Sequence, residues 1–409
     1  MLKICIIEAC RDQDVGSIGP FYIAESLRSI GYEVDVLRNT KSGYDIELIS
    51  VHHCTDFTLL AMMKKRAKIR IIGGHPMQNN PRPVIPLGDI ICIGEGETWI
   101  KNAVKILDEN NLDIDAMSSL PGTIISKNWI NGSKIPETNI EKPLPDNPPY
   151  LNRPGTRSAA WYLEIARGCP FKCYYCELGH STQYRRYSYD HLIKKIDQMD
   201  TSITRKINFY APDEASHPDF SKLFDHLKKK GFLAGFSSMR VDTVMKNKPP
   251  LRMNTLIRVG IDGLSEETRK RVNKKITDDQ IVEYFKYFID KGNVQFKMFM
   301  IFGYPWEKLE DFQKFEILMQ RIFNIKLHKN ISLRIKWTPL IPQPCTPLGN
   351  EKAKFDFEMV DKINIWHALH KRPRQEPGIF IENDGLMGIR SHKMQCNLTS
   401  ADENYFNKQ

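Results

Sequence analysis

The chain has 409 residues, 26% of them charged, and a formal net charge of +10. That length allows two domains, or one barrel with an appendage. The longest apolar runs, such as Met298 to Phe302, are too short to cross a membrane, no secretory signal is visible, and the nine cysteines lack disulfide-framework spacing. We therefore expect a soluble, cytoplasmic protein without membrane contact.

The excess positive charge lies in the second part of the chain. Residues 1–150 contain 16 Lys and Arg against 19 Asp and Glu, a balance of −3, whereas residues 151–409 contain 43 against 30, a balance of +13. Such a balance favours phosphate-bearing partners, including a nucleotide or nucleic acid. An ordinary solvated surface explains it equally well.

Residues 1–135 are predicted to form a Rossmann-like domain with a parallel sheet, because strand and helix patterns alternate along them. We predict strands over 2–8, 32–37, 45–51, 69–72 and 89–93, and helices over 18–30, 55–66 and 98–107.

Glycine-rich loops follow two of these strands, at the edge where such sheets bind ligands. They are Gly73-Gly74-His75 and Gly94-Glu95-Gly96-Glu97. Glycines there let a bulky ligand approach the backbone. No dinucleotide fingerprint follows the first strand, which argues against NAD or FAD.

The order of these loops resembles the cobalamin-binding domain that precedes the cluster motif in one subgroup of the radical S-adenosylmethionine (SAM) enzymes. The resemblance implies that cobalamin contacts Gly73, Gly74, His75, Gly94 and Gly96. A degenerate Rossmann domain that serves only packing is the alternative.

The chain departs from that family in one loop. Members that replace the lower base of cobalamin use D-x-H-x-x-G, whereas the similar stretch here starts at Asp14 and has Gly16 where the histidine would be. The resemblance then implies cobalamin without a histidine ligand from below. His52, His53 and His75 also lie near strand ends, where histidines more often have structural roles.

Residues 136–154 contain six prolines, which disfavour regular structure. We predict a semi-rigid linker here and a domain boundary.

Three cysteines, Cys169, Cys173 and Cys176, follow in a C-x3-C-x2-C spacing after a strand pattern over 161–166. Thiolates this close together converge on one metal centre. Three ligands are one fewer than a closed zinc site or a fully ligated four-iron cluster requires. A zinc site that borrows His180 is the alternative.

With the aromatic Tyr175 before the last cysteine, this motif resembles the signature of the radical SAM superfamily. The resemblance implies that Cys169, Cys173 and Cys176 hold a 4Fe-4S cluster whose open iron binds SAM. It also implies reductive cleavage of SAM to a 5′-deoxyadenosyl radical, with an external one-electron reductant such as flavodoxin or ferredoxin as partner.

Residues 155–349 are predicted to form a partial (β/α)6 barrel. Strand patterns over 161–166, 206–210, 232–238, 255–261, 294–301 and 332–338 alternate with helix patterns, and the chemistry of such barrels gathers at the carboxyl ends of the strands.

The family resemblance implies roles for residues at those strand ends. Asp213 and Glu214 would contact the SAM amino group, although the usual G-G-E is absent. Arg240, beside Ser237 and Ser238, would pair with the SAM carboxylate. Asp262 stands where the subgroup often has glutamate.

Two further loops of the barrel extend the resemblance. Gly303 to Glu307 resembles the turn that borders the adenine of SAM, and residues 338–347 resemble the proline-rich loop of the cobalamin subgroup. With Tyr175, the implied SAM site thus comprises Asp213, Glu214, Ser238, Arg240, Gly303 and Glu307.

Within residues 350–409 we predict a helix over 357–370 and a loop-rich tail. The basic residues Lys371, Arg372 and Arg374 follow the helix. We expect substrate specificity to reside in this C-terminal extension and at the barrel mouth. Cys345 and Cys396 are either bystanders or second-step thiols, and bystander cysteines are the commoner kind.

The leading hypothesis is a cobalamin-dependent radical SAM methyltransferase that methylates an unactivated carbon of an unknown small molecule, nucleotide or nucleic acid. A radical rearrangement or cyclisation with the same cofactors is the first alternative. A methylthiotransferase would need three further cluster cysteines, and Cys5, Cys10, Cys54 and Cys92 are not obviously spaced for that. A non-catalytic iron-sulfur protein that binds nucleic acid is the remaining alternative.

Overall fold

The computed structural model describes residues 2–9, 18–151, 159–235, 238–248, 256–327, 329–370 and 378–407. Several residues singled out above lie outside this description, as does the side chain of Ser238. They are Cys10, Asp14, Gly16, Ser237, Lys371, Arg372 and Arg374.

A six-stranded sheet forms the N-terminal part and has the strand order β2-β1-β3-β4-β5-β6. All neighbours are parallel except β5 and β6. Its strands are β1 (Ile4–Ala9), β2 (Val34–Leu37), β3 (Ile46–Val51), β4 (Ile69–Gly73), β5 (Ile90–Cys92) and β6 (Thr123–Ile125). The predicted Rossmann-like parallel sheet is confirmed.

Helices cover both faces of this sheet because its strands are apolar on both sides. Ile4 and Ile6 pack with α1 (Ile18–Arg28) and α3 (Glu97–Glu109), whereas Cys5 and Ile7 pack with α2 (Phe57–Met62). The helix predicted over 55–66 is shorter in the structure. A 3-10 turn (Cys54–Asp56) precedes it, and the His53 ring caps that turn.

The barrel is an open arc built from two sheets. One has the order β12-β11-β8-β7 and the other the order β13-β14-β15-β16-β17, with all neighbours parallel except β7 and β8. The strands are β7 (Tyr150–Leu151), β8 (Trp161–Glu164), β11 (Lys206–Tyr210), β12 (Leu233–Gly235), β13 (Ser238–Met239), β14 (Ile257–Gly260), β15 (Gln295–Phe302), β16 (Ile331–Pro339) and β17 (Ile379–Leu386). An antiparallel ribbon of β9 (Ala166–Arg167) and β10 (Arg185–Arg186) stands beside this arc.

Amphipathic helices alternate with the barrel strands and close a large aromatic core that includes Phe285, Phe296, Phe315 and Trp337. Ser188, Ser265 and Thr277 cap three of them through their hydroxyls, as helix N-termini require. The helices are α4 (Leu178–Ser181), α5 (Tyr189–Asp197), α6 (Phe220–Lys229), α7 (Val241–Asn247), α8 (Glu266–Arg271), α9 (Asp278–Asp290) and α10 (Leu309–Phe323).

The C-terminal extension is more regular than predicted. Helix α11 (Phe357–His370) matches the prediction, but the tail is not loop-rich, since β17 pairs in parallel with β16 and α12 (Ile389–Thr399) follows. The predicted six-stranded barrel is therefore extended by one more parallel strand. Alternation is weak in β17, whose sequence includes Asn383, Asp384 and Gly385, which explains why the pattern missed it.

The end of the chain returns to the N-terminal sheet. Leu398 is buried in the same core as α2. The Asn80 amide donates to the carbonyls of Thr399 and Ala401 at 2.9 Å each, and Arg82 pairs with Glu403 at 2.6 Å. The extension thus joins the barrel to the N-terminal part.

The proline-rich segment is less of a free spacer than predicted. Within 136–151 only β7 is regular, but the Glu141 carboxylate accepts from Thr98 N–H at 2.6 Å, and the buried Asn147 donates to the Glu164 carbonyl at 2.6 Å. The segment therefore packs against both parts, and the domain boundary stays a prediction. In the described parts of the chain, no helix is long and apolar enough to cross a membrane.

Replacing Asn80 with alanine should loosen the C-terminal extension. The change leaves two carbonyl groups without their donor, which costs about 1–3 kcal/mol for a buried group. We expect a lower melting temperature and faster limited proteolysis within 389–407. Asn110→Ala, which removes one local bond at an exposed helix end, is the control. Equal protease resistance in the two variants would contradict this view of the extension.

Candidate active site

The loop that carries Cys169, Cys173 and Cys176 lies between β9 and α4 and is held tightly. A side chain at Gly168, whose φ is +71°, would collide with the Gln183 carbonyl, and one at Gly179 would collide with the Phe171 carbonyl. Cys176 N–H donates to the Cys173 carbonyl at 3.1 Å. Both glycines are therefore required by the path of the loop.

The three thiols and His180 do not form a single-ion site in the described chain. Among the described residues, no three His, Cys, Asp or Glu side chains converge as ligands of one ion would. In a four-iron cluster each thiolate binds a different iron, so its ligands stand further apart than those of zinc. His180 is also engaged elsewhere, with Nε2 3.1 Å from the Cys173 carbonyl oxygen.

Asp213 is buried at the end of β11 and has spare hydrogen-bonding capacity. Its Oδ1 accepts from Arg240 N–H at 3.1 Å and from the Thr243 hydroxyl at 3.3 Å. Its Oδ2 has no partner among the described residues. Burial raises the pKa of Asp213 to about 6. A buried acceptor of this kind fits a cationic donor from a ligand. Glu214 follows it and is fully buried.

Arg240 places a positive charge beside the cysteine loop. Its Nη1 lies 3.4 Å from Cys173 Sγ, and its guanidinium carbon lies 3.8 Å from the centre of the Phe171 ring. Nε and Nη2 pair with Asp242 at 2.9 and 2.8 Å. The arginine is therefore anchored on one side and faces the thiol on the other.

A second polar group surrounds Asp262 at the end of β14, and its Lys274 was not identified by the sequence pattern. Its carboxylate accepts from the Tyr175 hydroxyl at 2.8 Å and pairs with the buried Lys274, and its carbonyl accepts from the Tyr304 hydroxyl at 2.9 Å. Asp262 has a φ of +56°, which is unusual for a residue with a side chain. Lys274 belongs to no motif, so only its burial reveals it.

The predicted turn from Gly303 to Glu307 closes on itself. Glu307 Oε2 accepts from Gly303 N–H at 2.5 Å, and Gly303 has a φ of +81°. Burial raises the pKa of Glu307 to about 8. Glu307 therefore shapes the turn, and its predicted contact with SAM stays a prediction.

A cavity of about 670 Å³ lies between the N-terminal sheet and the barrel. The residues that the cobalamin resemblance implied all line it: Gly73, Gly74, His75, Gly94 and Gly96. It opens beside β1 and β3, where the strand order reverses and where such sheets bind ligands. Gly168 and Glu177 of the cysteine loop line its opposite wall.

Glycine occupies these positions of the cavity wall for different physical reasons. At Gly74 and Gly94, with φ of +121° and +114°, a side chain would collide with the carbonyls of Val51 and Asn139. The backbone itself therefore requires glycine there, and the close ligand approach that we predicted stays a prediction. At Gly73 an added Cβ would meet only Cys92 Cβ, at 3.6 Å.

Buried ion pairs join the two parts of the chain along this cavity. Arg167, directly before the cysteine loop, pairs with Glu97 at 2.7 Å and with Glu164 at 2.8 Å. Arg185 pairs with Glu95. The arginines were not predicted as functional, although Glu164 and Arg167 stand close to the cysteine motif.

The remaining thiols do not form a second cluster site in the described chain. Cys5 and Cys92 pack on opposite faces of the N-terminal sheet and cannot bind the same cluster. Burial raises the pKa of Cys345 to about 12 and that of Cys396 to about 11, so both stay protonated and are weak nucleophiles.

Comparison with known proteins agrees with this geometry. Residues 163–315 match the family model of the radical SAM superfamily. The chain is 25% identical over 376 residues to an uncharacterized protein of Methanocaldococcus jannaschii. The alignment covers 88% of this chain and 79% of that protein. It is 20% identical over 396 residues to the hopanoid C-3 methylase of Methylococcus capsulatus. That alignment covers 86% of this chain and 72% of the methylase.

Solved structures share the fold. The radical S-adenosylmethionine methyltransferase TsrM from Kitasatospora setae, solved with cobalamin and a 4Fe-4S cluster, matches with a TM-score of 0.64 at 13% identity over 85% of this chain and 77% of that chain. The cobalamin-dependent SAM radical enzyme OxsB matches with a TM-score of 0.60 at 16% identity. That match covers 81% of this chain and about half of OxsB, 53%.

Residues 163–315 of the chain therefore form a radical SAM domain. The N-terminal Rossmann-like sheet followed by a partial barrel is the fold that this chain shares with TsrM and OxsB.

Replacing Glu307 with glutamine should change how stability depends on pH. The pKa of Glu307 rises from an ordinary 4.5 to about 8 on folding. The folded chain therefore keeps the proton that the unfolded chain releases, and stability falls as pH rises from about 4.5 to about 8. Glutamine keeps the acceptor for Gly303 N–H but has no proton to lose.

We expect the melting temperature of Glu307→Gln to fall less than that of the wild type between pH 5 and pH 9. Glu310→Gln, at an exposed position nearby, should behave like the wild type. If the melting temperatures of the wild type and Glu307→Gln fell equally with pH, the pKa of Glu307 would not be raised in the folded chain.

Proposed function

We propose that this radical SAM enzyme is a cobalamin-dependent methyltransferase that transfers a methyl group to a carbon atom of its substrate. The observation that carries the proposal is the cavity of about 670 Å³ at the reversal point of the N-terminal sheet, whose opposite wall is the cysteine loop. A cofactor in that cavity would face the cluster directly.

The cysteine loop fits a 4Fe-4S cluster with one open iron. Cys169, Cys173 and Cys176 would hold three irons, and Arg240 beside Cys173 would offset the negative charge of the thiolates. The barrel has no fourth cysteine in this loop.

Asp213 fits the amino group of SAM at that open iron. Its buried Oδ2, without a partner in the described chain, would gain a charge-assisted hydrogen bond, and its raised pKa would return toward the ordinary range. Tyr175, Glu214, Ser238, Arg240, Gly303 and Glu307 are proposed to complete the site.

The cavity fits cobalamin by position, because it lies at the ligand-binding edge of the sheet and faces the cysteine loop. Apolar side chains and backbone line most of it. Gly73, Gly74, His75, Gly94 and Gly96 are proposed to border the corrin. The buried carboxylates Glu97 and Glu164 offer acceptors for its amide groups.

When bound, the cluster and SAM supply a substrate radical, and cobalamin supplies the methyl group. The chain's own residues orient these groups and exclude water from the space between the two parts. The name of the hopanoid C-3 methylase, a relative at 20% identity, supports carbon as the acceptor. The +13 balance of residues 151–409 favours a phosphate-bearing substrate, and an external reductant such as flavodoxin or ferredoxin is proposed as partner.

Anaerobic reconstitution with iron, sulfide and cobalamin tests the proposal. We expect about four irons per chain, a bound corrinoid, and both 5′-deoxyadenosine and S-adenosylhomocysteine on reduction with SAM. Cys173→Ala should lose the cluster absorption and the cleavage of SAM. Deoxyadenosine alone would favour rearrangement or cyclisation, and about eight irons a methylthiotransferase.

Replacing Gly73 with leucine should remove cobalamin but leave the cluster. Gly73 lines the cavity, and an added Cβ there meets nothing closer than 3.6 Å, so the fold should tolerate the change while the leucine fills cofactor space. The measurements are corrinoid content, iron content and SAM cleavage. Gly388→Leu, where an added Cβ has open space away from the cavity, is the control. Full corrinoid content in Gly73→Leu would place cobalamin elsewhere.

A further inference from the structure

One face of the cysteine loop points away from the cobalamin cavity and is exposed. Lys172 and Tyr174 are exposed while Cys173 and Tyr175, their neighbours, lie inward, with Cys173 only 5% exposed. The exposed residues Lys172 and Tyr174 are therefore direct chain neighbours of Cys173, a proposed cluster ligand. Electron transfer falls steeply with distance, so an electron that enters here travels a short path.

The segment after α8 lies directly against this loop. Tyr174 N–H donates to the Val272 carbonyl at 3.0 Å, and the Asn273 amide donates to the Lys172 carbonyl at 2.9 Å. Lys270, Arg271 and Lys275 flank these contacts and are all exposed. The loop face, which we define as Lys172, Tyr174, Lys270, Arg271 and Lys275, thus combines four cations with one exposed aromatic ring.

Two cations of the loop face contact uncharged groups of the chain: Lys172 Nζ donates to the Gly179 carbonyl, and the Arg271 guanidinium carbon lies 4.1 Å from the centre of the Trp306 ring. Within the described parts of the chain, Lys172, Lys270, Arg271 and Lys275 form no ion pair with a carboxylate. The acidic residues of α8, Glu266 and Glu267, stand at its opposite end, and Glu267 pairs with Lys314 at 3.1 Å. Glu351 lies at the rim, where its N–H donates to the Leu348 carbonyl.

We propose that the loop face docks a small acidic electron-transfer protein, one that carries a flavin or an iron-sulfur centre near its surface. Opposite charges steer such encounters, which need only a small contact area. The Tyr174 side chain, which is 38% exposed, provides an apolar contact on the same face. This proposal rests on the proposed function, because a donor is needed only where a cluster is reduced.

The test uses the reconstituted full chain and an acidic bacterial flavodoxin in its hydroquinone form as the probe. Cluster reduction is followed by the loss of its visible absorption at low ionic strength. Lys270→Glu with Lys275→Glu reverses two cations of the loop face that make no ion pair. Lys228→Glu with Lys229→Glu makes the same change of charge at the far end of α6, on exposed residues that lead into the amino end of β12.

We expect the loop-face variant to be reduced about tenfold more slowly and the α6 variant within about twofold of the wild type. Added salt should slow the wild type and bring it close to the loop-face variant. Tyr174→Ser, which leaves all charges in place, should also slow reduction. Excess dithionite, which needs no docking, should reduce every variant to the same extent.

Three outcomes would overturn the proposal: unchanged reduction of both loop-face variants, equal slowing by the α6 variant, or a wild-type rate independent of salt. A wild-type chain that takes up no cluster, or whose cluster dithionite cannot reduce, contradicts the proposed function itself. The dithionite measurement therefore separates failure of the docking surface from failure of the enzyme assignment.

Discussion

Two arginines fix the cysteine loop against the N-terminal sheet. Arg167 and Arg185 reach across to Glu95 and Glu97, and Arg167 also holds Glu164 of its own part. These carboxylates are buried, so loss of one cation would leave charge without compensation, at a cost of about 3–5 kcal/mol. The same pairs set the distance between the loop and the sheet, and the cavity exists because that distance is held.

The barrel end of the site contains polar groups that are strained or lack a partner in the described chain. Asp213 has a buried oxygen without a partner in the described chain, and burial raises its pKa to about 6. Asp262 keeps an unusual φ of +56° while Tyr175 and Lys274 hold its carboxylate. Strained or unsatisfied groups persist where the surrounding structure holds them in place. They cluster here at the carboxyl ends of the strands, where barrels of this kind carry their chemistry.

Sequence patterns predicted the parts of this molecule that local chemistry dictates. Alternating strands and helices and the three-cysteine spacing depend on neighbours in the chain. Lys274 and Arg167 were missed because their partners, Asp262 and Glu97, are 12 and 70 residues away. Strand β17 was missed because its pairing with β16 is tertiary and its own pattern is weak. At Gly74 the backbone crowding against Val51 requires glycine, and this tertiary contact could not be predicted from neighbouring residues.

The cysteine loop thus has two faces with opposite environments. On its inner face Gly168 and Glu177 border a largely apolar cavity shared with the N-terminal sheet. On its outer face Tyr174 and a group of cations meet solvent. Radical chemistry needs both, because electrons must enter from outside while reactive species stay away from water. Gly168 and Gly179 fix the path of this loop. One short segment of the chain therefore borders both the cavity and the solvent.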